Sequence, residues 1–231
     1  MRKKILSLAL VVAMIAIMLT SFTMAYFTDN HVKTNTFTMG KVDIELTEPN
    51  YVPAADGKLK VFPGQTYPKD PTITVAADSE DCWLVATVTI TKRANFYALY
   101  ANDTTGVKQP WGLSLAGNGG LVSGGIADYA ATGAVDNGVS GTMLNDGTKD
   151  VAFLTYSEDV AADTITYTFY FKEIHKANDQ EVLFTNVNIP SIIDNGDFDS
   201  DLEVTVAAYA IQAVGFGDVY AAYDAIIAQG D

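Results

Sequence analysis

The chain is poor in the residues that most catalytic chemistry uses. Its 231 residues include one cysteine, Cys82, and two histidines, His31 and His175. One cysteine excludes a disulfide framework within the chain, so the fold must rest on an apolar core. Cys82 stands beside Trp83 at the head of a strand-like run and reads as a small buried hydrophobe. The histidines are far apart and neither lies in an HExxH pattern; Glu173-Ile174-His175 is the nearest approach. His175 precedes the turn-like run Lys176-Ala177-Asn178-Asp179, which predicts a solvated loop histidine. No GxSxG elbow, phosphate-binding loop or dinucleotide fingerprint occurs, and nothing nominates a nucleophile with its base. The residues therefore predict no enzyme, no catalytic site and no cofactor, with calcium the one ion to weigh.

Positive charge is also scarce. The 14 Lys and Arg face 28 Asp and Glu. Removing residues 1–25 takes away Arg2, Lys3 and Lys4 and no acid, which leaves a net charge of −17. Such a surface repels nucleic acid and anionic lipid and excludes both as expected partners.

What is present begins at the N-terminus. Met1-Arg2-Lys3-Lys4 is followed by an apolar run from Ile5 to Leu19 and a small-residue exit ending at Ala25. This is the pattern of a secretory signal peptide over residues 1–25, cut between Ala25 and Tyr26. An uncleaved anchor is the alternative, although fifteen apolar residues fall short of the ~20 that span a bilayer. The expected location is secreted, in an extracellular matrix or at the cell surface.

Downstream, β patterns dominate. Lys41–Thr47 alternates, with Val42, Ile44 and Leu46 on one face. In 82–91, Leu84, Ala86, Val88 and Ile90 oppose Trp83, Val85, Thr87 and Thr89; in 164–171, Ile165, Tyr167, Phe169 and Phe171 oppose a threonine row. Residues 202–211 alternate similarly, and 72–75, 151–156 and 181–187 are shorter candidates. Phe62-Pro63-Gly64-Gln65 reads as a type II turn. Residues 102–149, rich in Gly, Asn and Asp, read as a loop-rich insertion with a few short strands. One helix is expected, at the C-terminus, capped by Asp218 with Val219, Tyr223, Ile226 and Ile227 as its apolar stripe. The fold class is all-β: an antiparallel β-sandwich over residues 41–231 with a short C-terminal helix. Periodicity does not separate jelly-roll from immunoglobulin-like strand order.

An acidic run, Asp194-Asn195-Gly196-Asp197-Phe198-Asp199-Ser200-Asp201, offers Asp194, Asp197, Asp199 and Asp201 as oxygen ligands for calcium. It lacks the glycine and late glutamate of an EF-hand, so a solvated loop before a strand is the competing reading.

Several segments together resemble the camelysin/TasA-type secreted proteins. Ala25-Tyr26-Phe27-Thr28-Asp29, followed by Asn35-Thr36-Phe37-Thr38-Met39-Gly40-Lys41-Val42, is similar to that family's junction between signal peptide and first strand. Pro63-Gly64-Gln65 with Lys69-Asp70-Pro71-Thr72-Ile73, then Leu183–Pro190 and Val204–Ala213, also look like family segments. The resemblance implies processing by a SipW-type signal peptidase and a jelly-roll-like sandwich on a Gram-positive cell surface. It implies fibres of a biofilm matrix, built head to tail from copies of the chain with a possible accessory matrix protein. In that reading residues 26–40 form a donor strand that adds to the sheet edge of a neighbour, with Phe27, Val32 and Phe37 as its apolar contacts. The alternative is that this segment is the first edge strand of its own sandwich. Two other functions stay open: a carbohydrate- or cell-wall-binding sandwich using aromatics such as Trp111 and Tyr129, and a camelysin-type metallopeptidase, for which no zinc ligand set is recognisable.

Overall fold

Alternation of apolar and polar residues places two faces on the central strands of a six-stranded antiparallel sheet. In the computed structural model, residues 40–53, 59–101, 114–117, 121, 134–145, 150–193 and 201–229 are described. Strand β4 (Cys82–Thr91) lies between β9 (Thr164–Phe171) and β12 (Val204–Gln212). The sheet continues through β8 (Asp150–Asp159) and β7 (Val139–Asn145) to β6 (Ala134–Asp136), in the order β12-β4-β9-β8-β7-β6. The inner face carries Leu84, Ala86, Val88, Ile90, Ile165, Tyr167, Phe169 and Phe171, all buried, as the sequence pattern requires. Trp83 and Val85 face the other way and belong to a second, smaller cluster.

The second layer joins β1 (Ile44–Thr47) to β3 (Thr72–Val75) and β10 (Gln180–Val182), and β2 (Thr66–Pro68) to β11 (Asn186–Asn188) and β5 (Ser114–Ala116). These two groups are one sheet. The partner numbers of β3 with β10 and of β2 with β11 have the same sum, as in Gln180 with Thr74 and Asn186 with Pro68. Between them Leu183 N–H donates to Pro71 O (3.0 Å) and Lys69 N–H to Thr185 O (3.1 Å). The run expected at 181–187 is thus one paired stretch. It is split into two short strands where Leu183 and Phe184 are both fully buried and alternation lapses. Ile73, Val75, Leu115, Leu183, Phe184, Val187 and Ile189 close the core against the six-stranded sheet. The result is the expected antiparallel sandwich.

Turn chemistry behaves as read. Gln65 N–H donates to Phe62 O (3.2 Å) and Gly64 has φ +71°, the left-handed geometry of a type II turn. Asn137 and Gly138 (φ +48° and +81°) form the two-residue link between β6 and β7. Asn-Gly is the preferred pair for such a hairpin, a signal the glycine-rich composition of 102–149 conceals.

Two helices flank the sheets. The C-terminal one, α2 (Val219–Gln229), is capped as expected: Asp218 Oδ1 accepts Ala221 N–H at 2.9 Å. Its buried side chains are Val219, Tyr220 and Ala222, packed with Trp83, Val85 and Phe153 on the outer face of the six-stranded sheet. Ile227, placed in the stripe by periodicity, is 50% exposed because burial is concentrated in the first turn. The other helix, α1 (Arg93–Ala101), is not announced by its own sequence. Asp163, in the turn between β8 and β9, supplies its cap: Arg93 N–H donates to Asp163 O (3.1 Å) and Ala94 N–H to Asp163 Oδ1 (2.7 Å). A cap supplied from such a sequence distance leaves no local signature. Phe96 anchors this helix in the main core.

The described residues from Gly40 onward belong to one compact unit. Among the described residues no helix is long and apolar enough to cross a membrane.

Candidate functional site

Among the described residues the sandwich is incompletely covered along one side. Among the described residues β12 has a single hydrogen-bonded neighbour, β4. On β4, Leu84, Ala86, Val88 and Ile90 are fully buried. Directly across lie Ala210, Ala208, Val206 and Val204. They face the same core and pack against it, yet each is only half-buried. The second sheet ends the same way: Ile73 is buried, while its partner Leu46 on the edge strand β1 is 36% exposed. β1 and β12 approach each other, so the edges of the two sheets lie on a common side.

A groove of about 500 Å³ opens at this side. Its apolar lining comes from Leu202 and Val204 at the start of β12 and from Val187, Ile189 and Tyr67 across from them. Tyr51, Leu59 and Val61, between β1 and β2, contribute a further wall, and Lys69, Asp201 and Glu203 add charge. This wall is fixed by polar contacts. Buried Asp70 accepts Asn50 N–H (2.8 Å) and Asn50 Nδ2 (2.7 Å). Lys69 Nζ pairs with Glu48 Oε1 (2.5 Å) and lies over the Tyr51 ring at 4.7 Å. The groove thus combines an apolar interior with neighbouring strands whose outer backbone groups face no described neighbour.

Two polar clusters elsewhere hold the helices. Glu158 on β8 accepts hydrogen bonds from Arg93 Nε, Tyr97 O–H and Tyr156 O–H, and the Arg93 guanidinium stacks 4.4 Å from the Tyr97 ring. Burial works to raise the Glu158 pKa, but the bonds from Tyr156, Tyr97 and Arg93 outweigh it and hold the carboxyl below its usual range. Asp136 pairs with Lys172 Nζ and accepts Tyr220 O–H at 2.7 Å, which ties α2 to the sheet. The hydrogen bond from Lys172 is the main cause of its lowered pKa, and Tyr220 adds to it.

Glu158→Gln is expected to destabilise the fold by about 2 kcal/mol, since the charge goes but shape and some acceptor capacity stay. The sign with pH follows from the depressed pKa. The native carboxylate's contribution is fully present above about 4.5, the ordinary value, and is lost as pH falls through the lower folded value. Denaturant titrations at pH 7 and near pH 3 should therefore show a smaller acid-induced loss in Glu158→Gln than in the parent chain.

Of the residues singled out by sequence, Ala25, Tyr26, Phe27, Val32 and Phe37 lie outside the described residues. So do Asp194, Asp197 and Asp199 of the acidic run, and Trp111 and Tyr129. Asp201 is described: it is exposed and lines the groove. Cys82 is fully buried, with its thiol pushed up to about 11, chiefly by burial. His175 corrects the sequence reading. It does precede a turn, with Asp179 N–H donating to Lys176 O (3.0 Å), but it is 5% exposed. The reason is an isolated antiparallel bridge. Cys82 N–H donates to His175 O (2.9 Å) and His175 N–H to Cys82 O (2.8 Å), which draws the residue under Phe171. His175 Nε2 lies 3.0 Å from Glu181 Oε1. Among the described residues no group of three or more His, Cys, Asp or Glu side chains is placed to hold a metal ion. The groove residues Tyr51, Tyr67, Val187 and Ile189 carry no motif; only their convergence in space marks them.

Fold and groove together define a class: an antiparallel β-sandwich with an apolar groove beside the edge strand β12. Residues 1–78 match the family described as camelysin metallo-endopeptidase, the family that includes TasA-type proteins. The match covers the junction around Ala25–Val42 and the Pro63-Gly64-Gln65 segment on which the resemblance was read. No curated protein matches the chain.

Proposed function

We propose that the chain is an exported structural protein that assembles head to tail into extracellular fibres, with the segment preceding Gly40 in one copy completing the open side of the next. The half-buried inner row of β12, beside the fully buried row of β4, carries this reading. An edge strand whose inward side chains stay partly exposed offers both unpaired backbone groups and apolar surface to an added strand. The net charge of −17 and the signal-peptide pattern fit an exported protein soluble at high concentration. A heterologous, non-closing contact makes filaments and not closed dimers.

Negative-stain microscopy of the chain beginning at Tyr26 tests the proposal. Filaments that lengthen with protein concentration are the expected result. A chain that stays monomeric at millimolar concentration refutes it.

The family's description favours a second reading, a peptidase. The described residues do not fit a zinc site, since they contain no metal-ligating trio and His175 is engaged with Glu181. Stoichiometric zinc together with chelator-sensitive casein cleavage would replace the structural reading with this one.

A further inference from the structure

We propose that Cys82 and His175 form a site for one Cu(I) ion, with the thiolate Sγ and the imidazole Nδ1 as its ligands and Glu181 as the positioning residue behind the imidazole.

The fold brings the two donors to one place. Cys82 heads β4, and His175 follows the end of β9. Each donates its N–H to the other's carbonyl, at 2.9 and 2.8 Å, so the two are directly opposed across an antiparallel bridge. Directly opposed residues project from the same face, with Cβ atoms about 5 Å apart. That face is the inner one, since Cys82 lies two residues before fully buried Leu84 and belongs to the main core. Cys82 is wholly enclosed and His175 is 5% exposed, so anything bound between them is shielded from water.

Hydrogen bonding decides which nitrogen is open. His175 Nε2 lies 3.0 Å from Glu181 Oε1, on β10 of the opposite sheet. A carboxylate beside Nε2 keeps a proton on that nitrogen, which leaves Nδ1 of the neutral ring with a lone pair. Nδ1 is buried and has no hydrogen-bond partner among the described residues. A buried acceptor without a partner is unfavourable, and a bound ion removes that cost. Nδ1 is also the ring nitrogen nearer its own backbone, on the side of the bridge to Cys82. Phe171 meets the ring edge to face, with centroids 5.4 Å apart, and offers it only carbon. A metal-ligating imidazole almost always gives its second nitrogen to a carboxylate or carbonyl, which orients the ring and raises its basicity. Glu181 supplies that arrangement here.

Charge and softness select the ion. Thiolate sulfur favours soft ions such as Cu(I), and imidazole also suits copper. Zinc sites are almost always four-coordinate, whereas among the described residues no three His, Cys, Asp or Glu side chains converge to hold an ion. One Cu(I) with one thiolate is neutral, which an apolar core accepts. A divalent ion would leave a net positive charge buried. Binding is an exchange without redox change: the S–H bond breaks, an S–Cu bond forms, the proton leaves to water and copper stays Cu(I). Burial foremost, and then the charges of Asp81 and Asp179, hold the free thiol protonated. The same two carboxylates are exposed beside the bridge and draw a cation toward it. Because one proton is released, affinity is expected to rise about tenfold for each pH unit below the thiol's pKa.

The test is an anaerobic titration of the chain beginning at Tyr26 with Cu(I), against a coloured Cu(I) chelator as competitor. The expected result is one Cu(I) per folded chain, with ultraviolet thiolate-to-copper absorption, the stated pH dependence and no comparable uptake of Zn(II). Cys82→Ser is expected to weaken binding by about a hundredfold or more, and His175→Phe by about tenfold or more. Glu181→Ala should weaken it by about tenfold with the stoichiometry unchanged. Circular dichroism of each metal-free variant checks that it folds. X-ray absorption of the unsubstituted, copper-loaded chain reads the ligands with no substitution, and is expected to show one sulfur and one nitrogen. Uptake that survives Cys82→Ser in a folded chain, a copper shell without that pair, or Zn(II) held as tightly as Cu(I) overturns the assignment. So does a folded chain that takes up no stoichiometric Cu(I). The site stands apart from the groove and from fibre formation, and its loss leaves that reading untouched.

Discussion

A chain lacking residues 26–36 is expected to fold as a monomer and to form no filaments. The basis is that the unit beginning at Gly40 contains, among the described residues, the buried cluster of both sheets, from Ile73 to Ile189. Truncation upstream removes none of it, so circular dichroism should be unchanged. Under the proposed function it removes the strand that a neighbour would add to β12. Burying Val32 and one or two aromatic side chains contributes on the order of 4–8 kcal/mol. Each hydrogen bond along the strand adds about 1 kcal/mol net. Ordering about a dozen residues opposes this by about 1–2 kcal/mol per residue. The difference for one junction is small, so assembly is expected to have a critical concentration and to be lost outright when the segment is deleted. Filaments from the truncated chain, seen by the same microscopy, would refute donation by this segment.

The largest single-residue effect on stability is expected from Phe169→Ala. Phe169 is fully buried at the centre of the six-stranded sheet, with Ala86 on one side and Leu154 on the other. Ala86 is small and its methyl cannot expand into the space, and Leu154 is itself fully enclosed. The cavity therefore persists, and the loss should be about 3–5 kcal/mol. For a unit of this size that lowers the melting temperature by roughly 6–20 °C. Thr166→Ala, on the opposite face of the same strand, loses one hydroxyl contact with Thr89 (3.2 Å) and should change stability by about 1 kcal/mol or less. Thermal unfolding of the two variants side by side checks both values. Equal effects would mean that the inner face is not the core.

Much of the β architecture is legible in the chain because its signals are local. Strict alternation at 82–91 and 164–171 gives both strands and both faces, since side-chain direction follows the pleat with period two. Pro63-Gly64 and Asp218 are read from chemistry that acts within three residues. Helix α1 is not legible, because Asp163 caps it from the β8–β9 turn. His175 is misplaced by its own neighbours, which do form a turn; a bridge to Cys82, over ninety residues upstream, buries it.

The sequence by itself determined the fold class, the faces of the central strands, the acidic charge and the resemblance of the first 78 residues to a known family. These are properties of composition and short-range order. The tertiary structure alone decided which of the described strands stand at the edges, that β12 and β1 lie on the same side, and that Tyr51, Tyr67, Val187, Ile189 and Leu202 meet around one groove. An edge is a statement about a missing neighbour, and no residue on β12 records in its own alternation whether a strand lies beside it. Only long-range pairing fixes that.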